Sequence, residues 1–81
     1  MATYVLLIKE LEDAEKVIYK FGPSEERLGR VQLVKKTGDY MQLDPVPNTD
    51  TTFYYNRAVL TLLKCLNKDG GIFPPMTCFA S

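Results

Sequence analysis

Histidine is absent from this 81-residue chain. The side chain that most often acts as a general base near neutral pH is therefore missing. Cysteine is scarce, with only Cys65 and Cys78. Two thiols do not make a disulfide scaffold, and without histidine or metal-ligand spacing they do not make a metal site. Long apolar runs are lacking too. Nothing approaches the roughly 20 residues that span a bilayer. The run Tyr4 to Ile8 is too short for a signal-peptide core, and no basic residue precedes it. An excess of either charge is also missing: ten Lys and Arg balance ten Asp and Glu. A neutral total removes the simplest electrostatic reason to bind DNA or an anionic membrane, leaving only a local basic patch. These absences predict a cytoplasmic protein with no metal, no cofactor and no membrane partner.

The hydrophobic fraction of 46% is that of a globular chain and argues against disorder. A chain of this length forms one domain and buries only about 60–65% of its unfolded surface, so its stability margin is thin. Tyr4 to Ile8 ("YVLLI") is apolar throughout and rich in β-formers. It suits a strand covered on both faces, or on one face plus a partner. Val17, Tyr19 and Phe21 alternate with Ile18 and Lys20 before Gly22-Pro23-Ser24 stops the strand. In "LGRVQLVK" Val31 and Leu33 share one face, while Arg30, Gln32 and Val34 share the other. Gly29 marks a bulge or a close backbone approach. "KKTGD" offers a glycine for a hairpin turn, and Tyr40 to Leu43 forms a short fourth strand that ends before "DPVPN".

Asp50, Thr51 and Thr52 offer N-cap oxygens for a helix. Tyr55, Val59, Leu62 and Leu66 then fall on one stripe, flanked by Ala58 and Leu63, with Arg57, Thr61, Lys64 and Lys68 opposite. Gly70-Gly71 supplies the stop. The predicted fold is α+β: a four-stranded antiparallel meander, covered on one face by a single C-terminal helix, with an ordered apolar tail. Residues 1–81 form a single domain with strands at about 3–11, 16–22, 28–36 and 39–44, a helix at about 51–68 and the tail at 70–81.

The tail, "GGIFPPMTCFAS", contains residues that avoid water. Ile72 and Phe73 are expected to fold back after the glycines and pack beside the helix or along a sheet edge, stiffened by Pro74-Pro75. Cys78 to Ser81 also has the form of a prenylation box, weakened by Ala80 and by the lack of a basic cluster before it. Phe53 and Leu60 lie seven residues apart, off the helix's core stripe.

The chain resembles a set of short uncharacterised bacterial proteins. The pieces that carry the resemblance are "YVLLIK", "VIYKFGP", "GRV", "FYYNRA" and "GGIFPPMTCFAS". The resemblance implies that the tail belongs to the domain and that the setting is a bacterial cytoplasm. It transfers no catalytic residue.

Candidates for chemistry are few. Ser24 reads as a turn former and Cys65 as a small core residue. No cation stands near Cys78 to lower its pKa. Gly70-Gly71 follows a helix, whereas phosphate-binding loops precede one. The acidic residues between Glu10 and Glu26 read as solvated connections. The function expected is therefore non-catalytic: a protein–protein interaction module that forms a homodimer or binds another protein. The reason is area, since one helix covers only one face of a sheet. Tyr4, Leu6, Phe53, Tyr54, Leu60, Ile72, Phe73 and Phe79 are the candidate interface residues. The alternative is single-stranded nucleic acid held on a basic, aromatic sheet face of Lys20, Arg30, Lys35, Lys36 and Tyr40.

Overall fold

The computed structural model describes residues 4–47, 53–68 and 70–80, the last two by backbone only. Four strands come first: β1 (Tyr4–Glu12), β2 (Lys16–Ser24), β3 (Arg27–Val34) and β4 (Tyr40–Asp44). Helix α1 (Phe53–Asn67) follows, and β5 (Met76–Ala80) closes the described chain. All pairings are antiparallel, in the order β4-β3-β2-β1-β5. The fold is α+β, an antiparallel sheet with one helix.

The sheet has five strands, where the sequence predicts four. The extra strand is the second half of the tail. "MTCFA" shows no alternation of polar and apolar residues, so periodicity does not announce it. Its cause lies in β1, whose outer edge needs partners for its N–H and C=O groups. β5 supplies them, pairing Tyr4 with Ala80 through to Ile8 with Met76. β2 also runs further than expected, to Ser24. Its register against β3 shifts between Phe21 and Ser24, and an irregularity of this kind is where a strand tolerates Pro23.

Strand pairing sorts the side chains into two sets. Val5, Leu7, Val17, Tyr19, Phe21, Val31 and Leu33 share one face and form the core with Ala58, Val59, Leu62 and Cys65 of α1. Tyr55, Leu63 and Leu66 pack at the margin of that core, so the helix stripe read from the sequence is the stripe that is buried. The N-cap candidates Asp50, Thr51 and Thr52 lie outside the described residues. At the other end Gly70 and Gly71 both take positive φ, 69° and 77°. The Gly71 N–H donates to the Cys65 carbonyl at 3.0 Å and closes the helix.

Phe73 is 4% exposed and enters the core. Three hydrogen bonds tie the chain around it to the sheet. Lys9 Nζ donates to the Phe73 carbonyl at 2.9 Å, the Tyr19 hydroxyl donates to the Pro74 carbonyl, and the Lys9 N–H donates to the Pro75 carbonyl at 2.8 Å. Burial of the Tyr19 ring raises its hydroxyl pKa, so the group stays protonated and remains a donor. The tail is thus held by both side chain and backbone before β5 begins.

Two glycines are fixed by close approach. A Cβ on Gly22 would stand 2.0 Å from the Arg27 carbonyl oxygen, and one on Gly29 would stand 2.5 Å from that of Asp44. In both places the obstacle is backbone and cannot rotate away.

Three outcomes are expected. Gly22→Ala forces the β2–β3 corner apart and costs about 1–3 kcal/mol, whereas Gly70→Ala, which meets open space but keeps a positive φ, costs about 1 kcal/mol. Phe73→Ala costs about 3–5 kcal/mol, a large share of the stability of so small a domain. Thermal melts followed by circular dichroism measure all three. A Phe73→Ala melting point within a few degrees of wild type would show that the tail does not stabilise the core.

Candidate functional site

α1 packs on one face of the sheet only. Its neighbours are β1, β2, β3 and β5, and every residue of the sheet in its core cluster lies on the same side. Among the described residues no element lies over the other face. The pairing registers state what that open face carries. Tyr4, Leu6 and Ile8 come from β1, with Leu11 joining them beyond a bulge. Ile18 and Lys20 come from β2, Arg30, Gln32 and Val34 from β3, Met41 and Asp44 from β4, and Met76 and Cys78 from β5.

These residues fall into two zones. Cys78 and Leu6 pair across the edge, as do Met76 and Ile8, and Leu11 opposes Ile18. This zone is apolar. Leu6 and Ile18 are 6% and 8% exposed, yet neither belongs to the helix-side core. Around them Tyr4 and Met76 stand 49% and 56% exposed. The charged zone runs beside it, with Lys20 opposite Arg30 and Arg30 opposite Asp44. Arg30 is held at both ends: Glu10 Oε2 accepts at 2.8 Å and Asp44 Oδ2 at 3.2 Å. Because Glu10 is on β1 and Arg30 on β3, this bridge spans β2. The Arg30 hydrogen bond holds the Glu10 carboxyl below its usual pKa.

The bulge in β1 between Lys9 and Leu11 has a chemical consequence. It puts Glu10 and Leu11 on the open face and returns Glu12 to the helix side, opposite Val17. There Glu12 accepts from Lys35 at 2.6 Å and from Lys9 at 2.7 Å. Those two lysines lower its pKa, Lys35 first. Lys35 also caps the Asp13 carbonyl at 2.7 Å. Asp13 in turn accepts the N–H groups of Lys16 and Glu15, both at 2.8 Å, which lowers its own pKa. Glu12 and Asp13 thus hold the β1–β2 turn in place.

The interface candidates read from the sequence do not form one surface. Tyr4 and Leu6 are on the open face. Leu60 is 52% exposed on the outer side of α1, and Ile72 is exposed in the turn after it. Phe53 and Tyr54 pack at the core's margin, ring edge against ring face, with the Arg57 guanidinium 4.9 Å from the Phe53 centroid. Phe73 is a core residue and is withdrawn as an interface residue. The Phe79 side chain lies outside the described residues. Ile8, Leu11, Ile18, Met76 and Cys78 were missed. Their signal was parity: residues opposite a core set in a strand must share the other face.

The basic, aromatic face expected for nucleic acid is not assembled. Lys20 and Arg30 are on the open face, whereas Tyr40 opposes Leu33 on the helix side, where its ring lies 6.3 Å from that of Tyr55. Tyr19 is fully buried. Lys35 serves Glu12 and sits over the Phe73 ring, and Lys36 is in the turn beyond it. Antiparallel register, not composition, separates these groups.

Cys65 is buried in the core and Cys78 is exposed on β5; the two are not joined in a disulfide. Among the described residues no group of three or more Cys, Asp or Glu could hold a metal ion. No described helix is long and apolar enough to cross a membrane.

Acid should loosen the ion-pair network. Glu10 and Glu12 have folded pKa values below their unfolded ones, so their contribution is present above about pH 4.5 and disappears as pH falls through the lower, folded values. The melting temperature is expected to fall between pH 5 and pH 3. The double variant Glu10→Gln/Glu12→Gln starts lower at pH 7 and falls less steeply. Equal slopes for variant and wild type would remove these pairs from the account.

No family model, curated protein or solved structure matches this chain.

Proposed function

We propose that this protein is a non-catalytic interaction module that forms a homodimer through the open face of its sheet, in the cytoplasm. The observation that carries the reading is the apolar zone of Tyr4, Leu6, Ile8, Ile18 and Met76, which has no covering layer among the described residues. Sheets of small α+β domains bury both faces when both are apolar.

Two features favour a second copy as the cover. The first is charge. The chain is neutral overall, and the charged zone contains two acids, Glu10 and Asp44, and two bases, Lys20 and Arg30. A two-fold axis can place such a zone against itself without like charges meeting. The second is area. Five strands of five to nine residues, spaced about 4.8 Å apart at about 3.3 Å per residue, present roughly 570 Å² of flat surface. Two such faces bury about 1,100 Å² in total, close to the lower bound for a specific interface. A dimer of this size is reversible. Cysteines Cys65 and Cys78, which form no disulfide, fit a reducing compartment.

Sedimentation equilibrium tests the reading. At tens of micromolar the protein is expected to weigh about twice the 9.2 kDa of one chain, and Ile8→Glu is expected to return it to a monomer with an unchanged far-ultraviolet spectrum. A wild-type monomer at 100 μM, roughly a hundred times a typical micromolar dissociation constant, would refute it.

A further inference from the structure

A second apolar surface lies on the opposite side of the sheet, between α1 and β4, and is independent of the dimer face. β4 is the edge strand on that side, five residues long, and among the described residues it pairs with β3 alone. The connection from β4 to α1 turns inward at Val46, which is buried in the core. α1 then runs over β1, β2, β3 and β5, and the Tyr40–Tyr55 ring pair joins it to β4. What remains beside the edge is a groove. One recess of about 250 Å³ is lined by Tyr40, Asn56, Val59, Leu60 and Leu63. A second, of about 490 Å³, continues past Leu63 and Leu66 to the Lys36–Gly38 turn. Leu63 lines both, so the two recesses adjoin.

Its polar end has a definite sign. Lys36, Lys64 and Lys68 are exposed there, with Lys64 and Lys68 lining a third recess that shares Leu60 and Leu63. The neighbouring Asp39 carboxylate accepts the Thr37 hydroxyl at 3.0 Å. Lysines from two elements therefore line recesses that share Leu63 and Asn67, and Tyr40 at the start of β4, a strand that among the described residues pairs with β3 alone, lines the recess at the other end. These are the parts of β-augmentation: main-chain hydrogen bonds from the edge, pockets for alternate side chains, and a charge that sets direction.

We propose that the α1–β4 groove binds an extended peptide segment of another protein, with apolar side chains on one face and carboxylates at one end. The segment adds a strand beside β4. Its apolar side chains lie against Leu60 and Leu63, and its carboxylates meet Lys36, Lys64 and Lys68. Leu60, which does not fit the helix's core stripe, is then the outward anchor of the site.

The test is selection from a random eight-residue peptide library displayed on phage, with the full chain as bait. The leading peptide is then synthesised with a fluorophore and measured by anisotropy and by amide chemical shifts. The expected peptides combine apolar residues with Asp or Glu, bind in the micromolar range and shift the amides of Tyr40–Asp44. Leu60→Glu should weaken binding at least tenfold and Lys64→Glu/Lys68→Glu several-fold. Neither should move the melting point by more than a few degrees, since these side chains are exposed, and Glu26→Gln should change nothing. The proposal fails if no peptide is enriched, if the enriched peptides are basic, or if binding survives Leu60→Glu. It also fails if Ile8→Glu, on the other face, is what abolishes binding, or if Leu60→Glu dissolves a wild-type dimer, which would make a second copy the occupant. Because the dimer is read by mass and the peptide by anisotropy, either proposal can fail alone.

Discussion

β1 carries apolar side chains on both faces, and the rest of the molecule is arranged to deal with that. Val5 and Leu7 face α1, while Leu6 and Ile8 face away from it. A strand of this composition cannot sit at an edge without exposing backbone and side chains together. The chain places it between β2 and β5. β5 is sequence-distant, so the end of the described chain must return across the molecule. Phe73 in the core, and the carbonyls of Phe73, Pro74 and Pro75 held by Lys9 and Tyr19, bring it there. Burying an aromatic ring offsets the entropy of ordering a few residues, and the ladder with β1 follows.

That arrangement solves one half of the problem and leaves the other. Covering the second edge of β1 does not cover its second face. One helix of 15 residues spans the helix-side core, and no described element duplicates it below the sheet. The surplus is concentrated, with Leu6 and Ile18 already shielded by their own sheet neighbours and Tyr4, Ile8 and Met76 around them. The charged residues nearby are paired within the fold, Arg30 with Glu10 and Asp44. They limit what can dock without imposing a net sign. The α1–β4 groove is different in kind. It lies beside β4 and has lysines at one end. One surface suits a flat, neutral copy and the other an extended, acidic segment.

Much of the fold could be read from the residues. Alternation in β2 and β3 placed Tyr19, Phe21, Val31 and Leu33 together, and the helix stripe of Val59 and Leu62 met them. Gly29 signalled a close approach, which the Asp44 carbonyl makes. The site was less legible. Lys20, Arg30, Lys35 and Tyr40 looked like one patch because they are close in composition and sequence. Register sends them to different faces, and carboxylates from β1 occupy two of them. Phe73 reads from the sequence both as a residue that folds back against the helix or a sheet edge and as an interface candidate; the return through Pro74-Pro75 takes it into the core.

Local chemistry settled what each segment became: which stretches alternate, where glycine and proline interrupt, and which helix face is oily. These depend on neighbours a few residues apart, and short-range sterics and side-chain period determine them. Tertiary structure alone decided that the tail becomes a strand, that a bulge sends Glu10 and Glu12 to opposite faces, and that a groove opens between α1 and β4. The first depends on a partner about 70 residues away, the second on the register of β1 against β2, and the third on how α1 settles over the sheet beside β4. A one-residue change in register reverses every side chain beyond it, and no local pattern carries that information.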